Sequence, residues 1–121
     1  MRTEGSRTPR EPQVATQPPL TSLPLTVLVS GRTASAAEIL AGALHDNCRG
    51  VLVGDRTYGK GLIQSVYELS DGSGLVVTVG HYLTPGGTDI DRTGVKPDFR
   101  NVPSAEKAQE TLALCRAPRG A

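Results

Sequence analysis

Apolar and polar positions divide the chain into a polar lead-in and a patterned body. Leu25-Thr-Val-Leu-Val-Ser30 is a short β-branched run and predicts a buried strand. From Ala36 to about Asn47 the period changes: Ala36, Ile39, Leu40, Ala43 and Leu44 recur at i, i+3, i+4, i+7 and i+8, one apolar face of a helix. Ser35, followed three residues later by Glu38, matches a capping box at its start. Val51 to Gly54 predicts a second strand and Leu62 to Leu69 a third. Asp71-Gly-Ser-Gly74 reads as a hairpin turn leading into a fourth, Leu75 to Leu83. Thr84 to Gly87 reads as a loop, and Pro97 and Asp98 close the ordered core. Ser104 to Arg116 reads as a short terminal helix. The expected fold is α/β: a mixed sheet of about four strands with one long helix and a short C-terminal one.

The first 23 residues carry Pro9, Pro12, Pro18 and Pro19 among Arg, Ser, Thr and Gln. Such a segment buries too little apolar surface to offset its ordering entropy and is expected to be disordered. It has no apolar core of the secretory-signal type, so no targeting signal is visible. The organisation read from the chain is therefore 1–23 as a disordered segment, 24–100 as the folded unit, and 101–121 as terminal helix and tail. At 121 residues this is at most one modest domain. With no Trp, one Phe and three Tyr, its core must be aliphatic. A net charge of +1 argues for no nucleic-acid partner, and the apolar runs are too short to span a bilayer. Cys48 and Cys115 make neither a disulfide framework nor a metal site; they could pair, but two ordinary thiols are the expectation.

Two residues stand out chemically. Ser35 lies in Gly31-Arg-Thr-Ala-Ser-Ala-Ala-Glu38, where strand pattern gives way to helix pattern. Lys60 lies between glycines in Gly54-Asp-Arg-Thr-Tyr-Gly-Lys-Gly61 and is one of three lysines among 13 basic residues. Arginine cannot serve as a base, whereas a desolvated lysine can. Lowering a lysine from about 10.4 to near 7 requires ~4–5 kcal/mol against the charged form, for which Val53, Leu62 and Ile63 are candidate walls. On local pattern alone, a helix cap is the commoner role for Ser35 and a solvated turn the commoner role for Lys60. A nucleophile at a helix N-terminus would use the same position differently, with the N–H of Ala36 as an oxyanion donor. Gly54 to Lys60 approaches a phosphate-binding loop, but Gly61 replaces the hydroxyl residue and a strand pattern follows in place of a helix. His45 is about 15 Å along the helix from Ser35 and cannot reach it. His81 is not excluded as a rival base, but no carboxylate motif accompanies it. Asp46 reads as a helix-end or salt-bridge residue.

Thr33-Ala-Ser-Ala-Ala-Glu-Ile-Leu-Ala-Gly-Ala-Leu44, Val53-Gly-Asp-Arg-Thr-Tyr-Gly-Lys-Gly61, Gln64-Ser65, Leu69-Ser-Asp-Gly-Ser-Gly-Leu75, Tyr82-Leu-Thr-Pro85 and Gly94-Val-Lys-Pro-Asp98 resemble the carboxyl-terminal processing peptidases, or tail-specific proteases, over about residues 24–98. Thr88-Asp-Ile-Asp-Arg92 is most similar to the plant and cyanobacterial branch, which trims the precursor of a photosystem II reaction-centre protein in the thylakoid lumen. The resemblance implies a serine endopeptidase cutting near protein C-termini. Ser35 would be the nucleophile, Lys60 the general base and Gln64 the residue that orients it. No cofactor or metal is implied, and the partners are protein C-terminal tails. The implied compartment is the thylakoid lumen or a periplasm-like space. Family members place a PDZ domain and a glycine-rich turn with a further oxyanion donor before the first strand seen here. Ala37 stands where a serine is common, and His81 where a small or basic residue is usual. The chain is therefore expected to be a fragment of a Ser–Lys protease core, marginally stable or self-associating and without measurable proteolysis by itself. The alternative is a non-catalytic peptide-binding or assembly module.

Overall fold

A computed structural model describes residues 2–5 and 11–117. The body is built from β2 (Leu25–Val29), α1 (Ala36–Asp46), β3 (Gly50–Gly54), β4 (Leu62–Glu68), β5 (Gly74–Leu83) and α2 (Ala105–Leu114), preceded by β1 (Arg2–Gly5). The α/β class and the four expected strands are present, distributed over two sheets. β2 and β3 pair in parallel, joined by α1 as a β–α–β unit. β1, β5 and β4 form an antiparallel sheet in that order.

β1 departs from the expectation that residues 1–23 lack regular structure. β5 is ten residues long, and its second edge accepts Arg2–Gly5 in antiparallel register from Leu83 to Gly80. Backbone pairing to an open edge needs no apolar side chains. Residues 11–24 are exposed and carry no helix or strand, and residues 1, 6–10 and 118–121 lie outside the described residues.

The core is small and aliphatic: Val29, Ala41, Leu52, Ile90 and Val95, with Val27, Ile39 and Tyr82 against it. β3 is its centre. Beyond β3 the chain returns alongside, where Asp98 and Phe99 N–H both donate to the Leu52 carbonyl and Gly54 N–H donates to that of Phe99.

The most buried face of α1 is not the one its apolar spacing predicts. Glu38, Ala41 and Gly42 are buried, while Leu40 is 61 % exposed. Two local constraints choose this face. Glu38 is drawn inward by hydrogen bonds, and a Cβ on Gly42 would lie 2.8 Å from the Thr84 methyl, so only the Gly42 side can approach that loop. The helix ends on an ion cluster: His45 Nδ1 meets Asp46 Oδ1 at 2.8 Å and His45 Nε2 meets Asp98 Oδ1 at 2.9 Å. Asp46 also accepts the Gly86 N–H, which gives it the helix-end role its position predicts.

Cys48 and Cys115 form a disulfide, 67 residues apart in sequence, contrary to the expectation of two free thiols. α2 has no buried residue of its own. The fold brings its C-cap beside the turn that ends α1, a proximity that spacing alone does not reveal. Among the described residues, no helix is long and apolar enough to cross a membrane.

Candidate active site

Ser35 is delivered by a sharp strand-to-helix turn between β2 and α1. Thr33 braces this turn: its N–H donates to the Ser30 carbonyl at 2.9 Å and its Oγ1 accepts the Ser30 N–H at 3.0 Å. Tyr58 N–H then ties the Thr33 carbonyl to the Lys60 loop at 2.9 Å. Ser35 itself sits at φ 55° and ψ −119°, left-handed backbone that a non-glycine residue rarely adopts. Such a conformation costs on the order of 1–3 kcal/mol and persists only where the surroundings enforce it. Strand-to-helix turns of this strained kind present nucleophilic serines in α/β-hydrolases.

Glu38 enforces it. The carboxylate is fully buried and accepts four hydrogen bonds. Its Oε1 takes the N–H of Ser35 at 3.0 Å and of Lys60 at 2.9 Å. Its Oε2 takes the N–H of Gly59 at 2.8 Å and the Thr57 hydroxyl at 2.5 Å. Burial pushes the Glu38 carboxyl upward, but the bonds from Thr57, Lys60, Gly59 and Ser35 outweigh it and hold the pKa below the usual value. The capping-box relation between Ser35 and Glu38 is present, but loose on the hydroxyl side: the Ser35 side chain makes no cap hydrogen bond, and the Glu38 N–H is bonded to the Ser35 carbonyl at 2.9 Å. The N–H groups of Ala37, Glu38 and Ile39 are all taken by the Ala34 and Ser35 carbonyls, whereas that of Ala36 meets no acceptor among the described residues.

Lys60 is held from the other side. Gly59 has φ 89°, and a Cβ there would lie 3.0 Å from the Arg92 backbone; a Cβ on Gly61 would lie 2.6 Å from the Asp91 nitrogen. Glycine on both sides of Lys60 therefore lets its turn press against residues 90–92. Thr57, buried beneath, donates to Glu38 and accepts the Val95 N–H at 2.7 Å.

Ser35, Lys60 and Gln64 line one open cleft of about 630 Å³ with Ala34, Tyr58, Gly59, Leu62 and Asp91. Among the described residues, their side chains are not hydrogen-bonded to one another. Gln64 follows a register shift: Ile63 pairs with Gly80 but Gln64 with Thr78, which leaves Val79 as an extra residue on β5. Bulges of this kind bend a strand and re-aim side chains. Of the three apolar residues expected to desolvate Lys60, only Leu62 lines the cleft. Val53 is buried in β3, Ile63 alternates to the other face of β4, and Lys60 itself is exposed.

His81 does have a carboxylate partner, contrary to the sequence reading: its Nδ1 meets Asp89 Oδ2 at 2.7 Å. Neither residue lines the cleft of Ser35. Sequence reasoning missed Glu38 as the junction of both loops. Its only sequence signal was the spacing from Ser35.

A parallel β–α–β turn thus presents a strained serine, and a glycine-flanked lysine lines the same cleft. The model of Peptidase family S41 matches residues 1–101, and the chain belongs to this family. It is 61 % identical over 102 residues to the chloroplastic carboxyl-terminal-processing peptidase 1 of Arabidopsis thaliana, which covers 84 % of this chain and 21 % of that protein. It is 62 % identical over 78 residues to the carboxyl-terminal-processing protease of Synechocystis sp., covering 64 % of this chain and 18 % of that one. The solved photosystem II D1 C-terminal processing protease superposes with a TM-score of 0.75 at 45 % identity, over 98 % of this chain and 32 % of its own. The chain thus spans about a fifth of the length of these curated relatives.

Proposed function

We propose that this chain carries the nucleophile and base of a serine endopeptidase that cuts near protein C-termini. The observation that carries the reading is Ser35, strained at a helix start, sharing one cleft with Lys60 and Gln64 while Glu38 binds the backbone of both loops. In this mechanism the neutral Lys60 amine takes the Ser35 hydroxyl proton as Oγ attacks the scissile carbonyl carbon. The N–H of Ala36 donates to the oxyanion that forms. The C–N bond breaks as Lys60 passes its proton to the leaving amine, and water then hydrolyses the acyl-serine with Lys60 again as base. Gln64 orients Lys60. The relatives' names support C-terminal tails as the substrate class and a chloroplast setting. The disulfide supports an oxidising space within it, such as the thylakoid lumen, or a periplasm-like one.

The exposure of Lys60 favours a second reading, a peptide-binding or assembly module without catalysis, because lysines serve as bases where burial strips them of water. One experiment separates the two. The chain replaces its matching 102 residues in the Arabidopsis peptidase 1, and cleavage of a tail peptide is followed. Activity that Ser35→Ala and Lys60→Arg both abolish, and His81→Ala leaves intact, supports the Ser–Lys endopeptidase. An active chimaera in which Lys60→Arg retains cleavage refutes it, and a folded, inactive chimaera favours the module.

A further inference from the structure

The cleft beside Ser35 has one wall that the proposed chemistry does not use. Asp91 lines it together with Lys60, Gln64, Tyr58 and Leu62. Backbone contacts fix its place. Arg92 N–H donates to the Gly59 carbonyl at 2.8 Å, and Asp91 N–H donates to Asp89 Oδ1 at 3.0 Å. The close approach at Gly61 presses the same segment against the turn that carries Lys60.

The Asp91 carboxylate is held less firmly. Its side chain is 23 % exposed, and its ion pair is with Arg92 Nε at 3.7 Å, on a side chain that is 91 % exposed. A pair this long, to a solvated arginine, leaves most of the carboxylate's capacity unspent. The cleft lining holds one acid, Asp91, and one base, Lys60.

We infer that Asp91 is a specificity-determining residue of the cleft, selecting peptides with a cationic side chain near the reacting bond and rejecting acidic ones. The inference rests on reading the cleft as a peptide site. Tyr58 and Leu62, both exposed, supply apolar surface for the stem of a lysine or arginine whose charged head reaches Asp91. An opposite unit charge at an exposed protein surface raises affinity by about threefold, and a like charge lowers it by a similar factor.

The test is equilibrium binding of dye-labelled peptides to the Ser35→Ala form of the full chain, which binds without turnover. Peptides of small neutral residues with a free C-terminus carry Lys, Gln or Glu at each of the last six positions in turn. At one position or more the Lys peptide should bind about tenfold more tightly than the Glu peptide. Asp91→Asn should reduce that ratio to about twofold or less, Asp91→Lys should invert it, and the Gln peptide should be unaffected by Asp91→Asn. A Lys-to-Glu ratio unchanged in Asp91→Asn overturns the inference while leaving the peptide site standing. If no peptide binds a chain shown by circular dichroism to be folded, the peptide site itself falls and the inference with it.

Discussion

One oxygen of Glu38, Oε1, accepts the backbone N–H of Ser35 at 3.0 Å and of Lys60 at 2.9 Å, so the two candidate catalytic residues are spaced by a shared acceptor. Their separation depends on a third side chain that need not touch substrate. Replacing Glu38 by Gln keeps the shape but turns one acceptor atom into an NH₂ donor facing N–H or O–H groups. Loss of one such buried acceptor costs about 1–3 kcal/mol. In an active chimaera with the Arabidopsis peptidase, Glu38→Gln is expected to lower kcat by at least about a hundredfold with a smaller change in KM, since misplacement by about 1 Å carries that penalty. A KM effect alone would show that Glu38 does not set the catalytic geometry.

The backbone of Ser35 gives a second test. At φ 55° glycine is free of the strain that serine bears. Ser35→Gly should abolish cleavage while raising resistance to urea by about 1 kcal/mol. Unchanged or lowered stability would mean that the turn is not strained in solution.

The strands and the existence of α1 were legible because each rests on local pattern: β-branched runs, a change of period, a glycine turn. Ser35 and Lys60 stood out through their glycine-rich frames at element ends, but local pattern favoured a cap and a solvated turn, and their candidate catalytic roles came from the family resemblance. The buried face of α1 was not legible, because Glu38 is polar by composition and becomes a core residue only when Thr57, Gly59 and Lys60 supply three donors from 19 to 22 residues away. The strain at Ser35 was hidden too, since serine carries no signal for positive φ. The pairing of Cys48 with Cys115 depends on where α2 docks, which no local pattern encodes.

That pairing closes a long loop. In the chain-entropy picture, a link between residues 67 apart stabilises by about 4 kcal/mol. Reduction, or Cys115→Ser, should lower the urea midpoint accordingly, and amides of Ala105–Leu114 should then exchange fastest, because α2 buries no residue. Equal midpoints with and without reductant would mean that the disulfide contributes nothing to the fold.

The end of α1 should make stability sensitive to pH on both sides. Hydrogen bonds to Asp46, then to Asp98, raise the His45 pKa to about 10. A group raised from 6.5 contributes in full below that value and loses its contribution as pH climbs through about 10. Asp46 and Asp98 are pulled upward by burial, but their bonds to His45 and to the Thr84, Gly86 and Leu52 groups outweigh it and lower both. Their contribution is present above the ordinary carboxylate range and is lost as pH falls through the lowered values. Urea midpoints should therefore be highest near pH 5–6 and decline toward pH 10. His45→Gln should flatten the alkaline decline, and a decline of undiminished slope in that variant would assign it to other groups.

The last prediction follows from the small core. Parallel strands are normally covered on both faces, yet Leu28 of β2 is 71 % exposed and Leu40 of α1 is 61 % exposed. On the hairpin, Val66, Tyr67, Leu75 and Val76 are also exposed. The solved protease that this chain resembles is about three times as long, since the chain covers 32 % of it. Without a cover, apolar side chains on an open strand edge favour association. The isolated chain should therefore show a weight-average mass that rises with concentration in sedimentation equilibrium. Leu28→Lys combined with Leu40→Glu should shift it toward the 12.7 kDa monomer. The association should weaken little at high salt, because apolar contact, unlike ion pairing, is not screened. A strictly monomeric chain at all concentrations would mean that these side chains are covered in solution by a rearrangement of the chain itself.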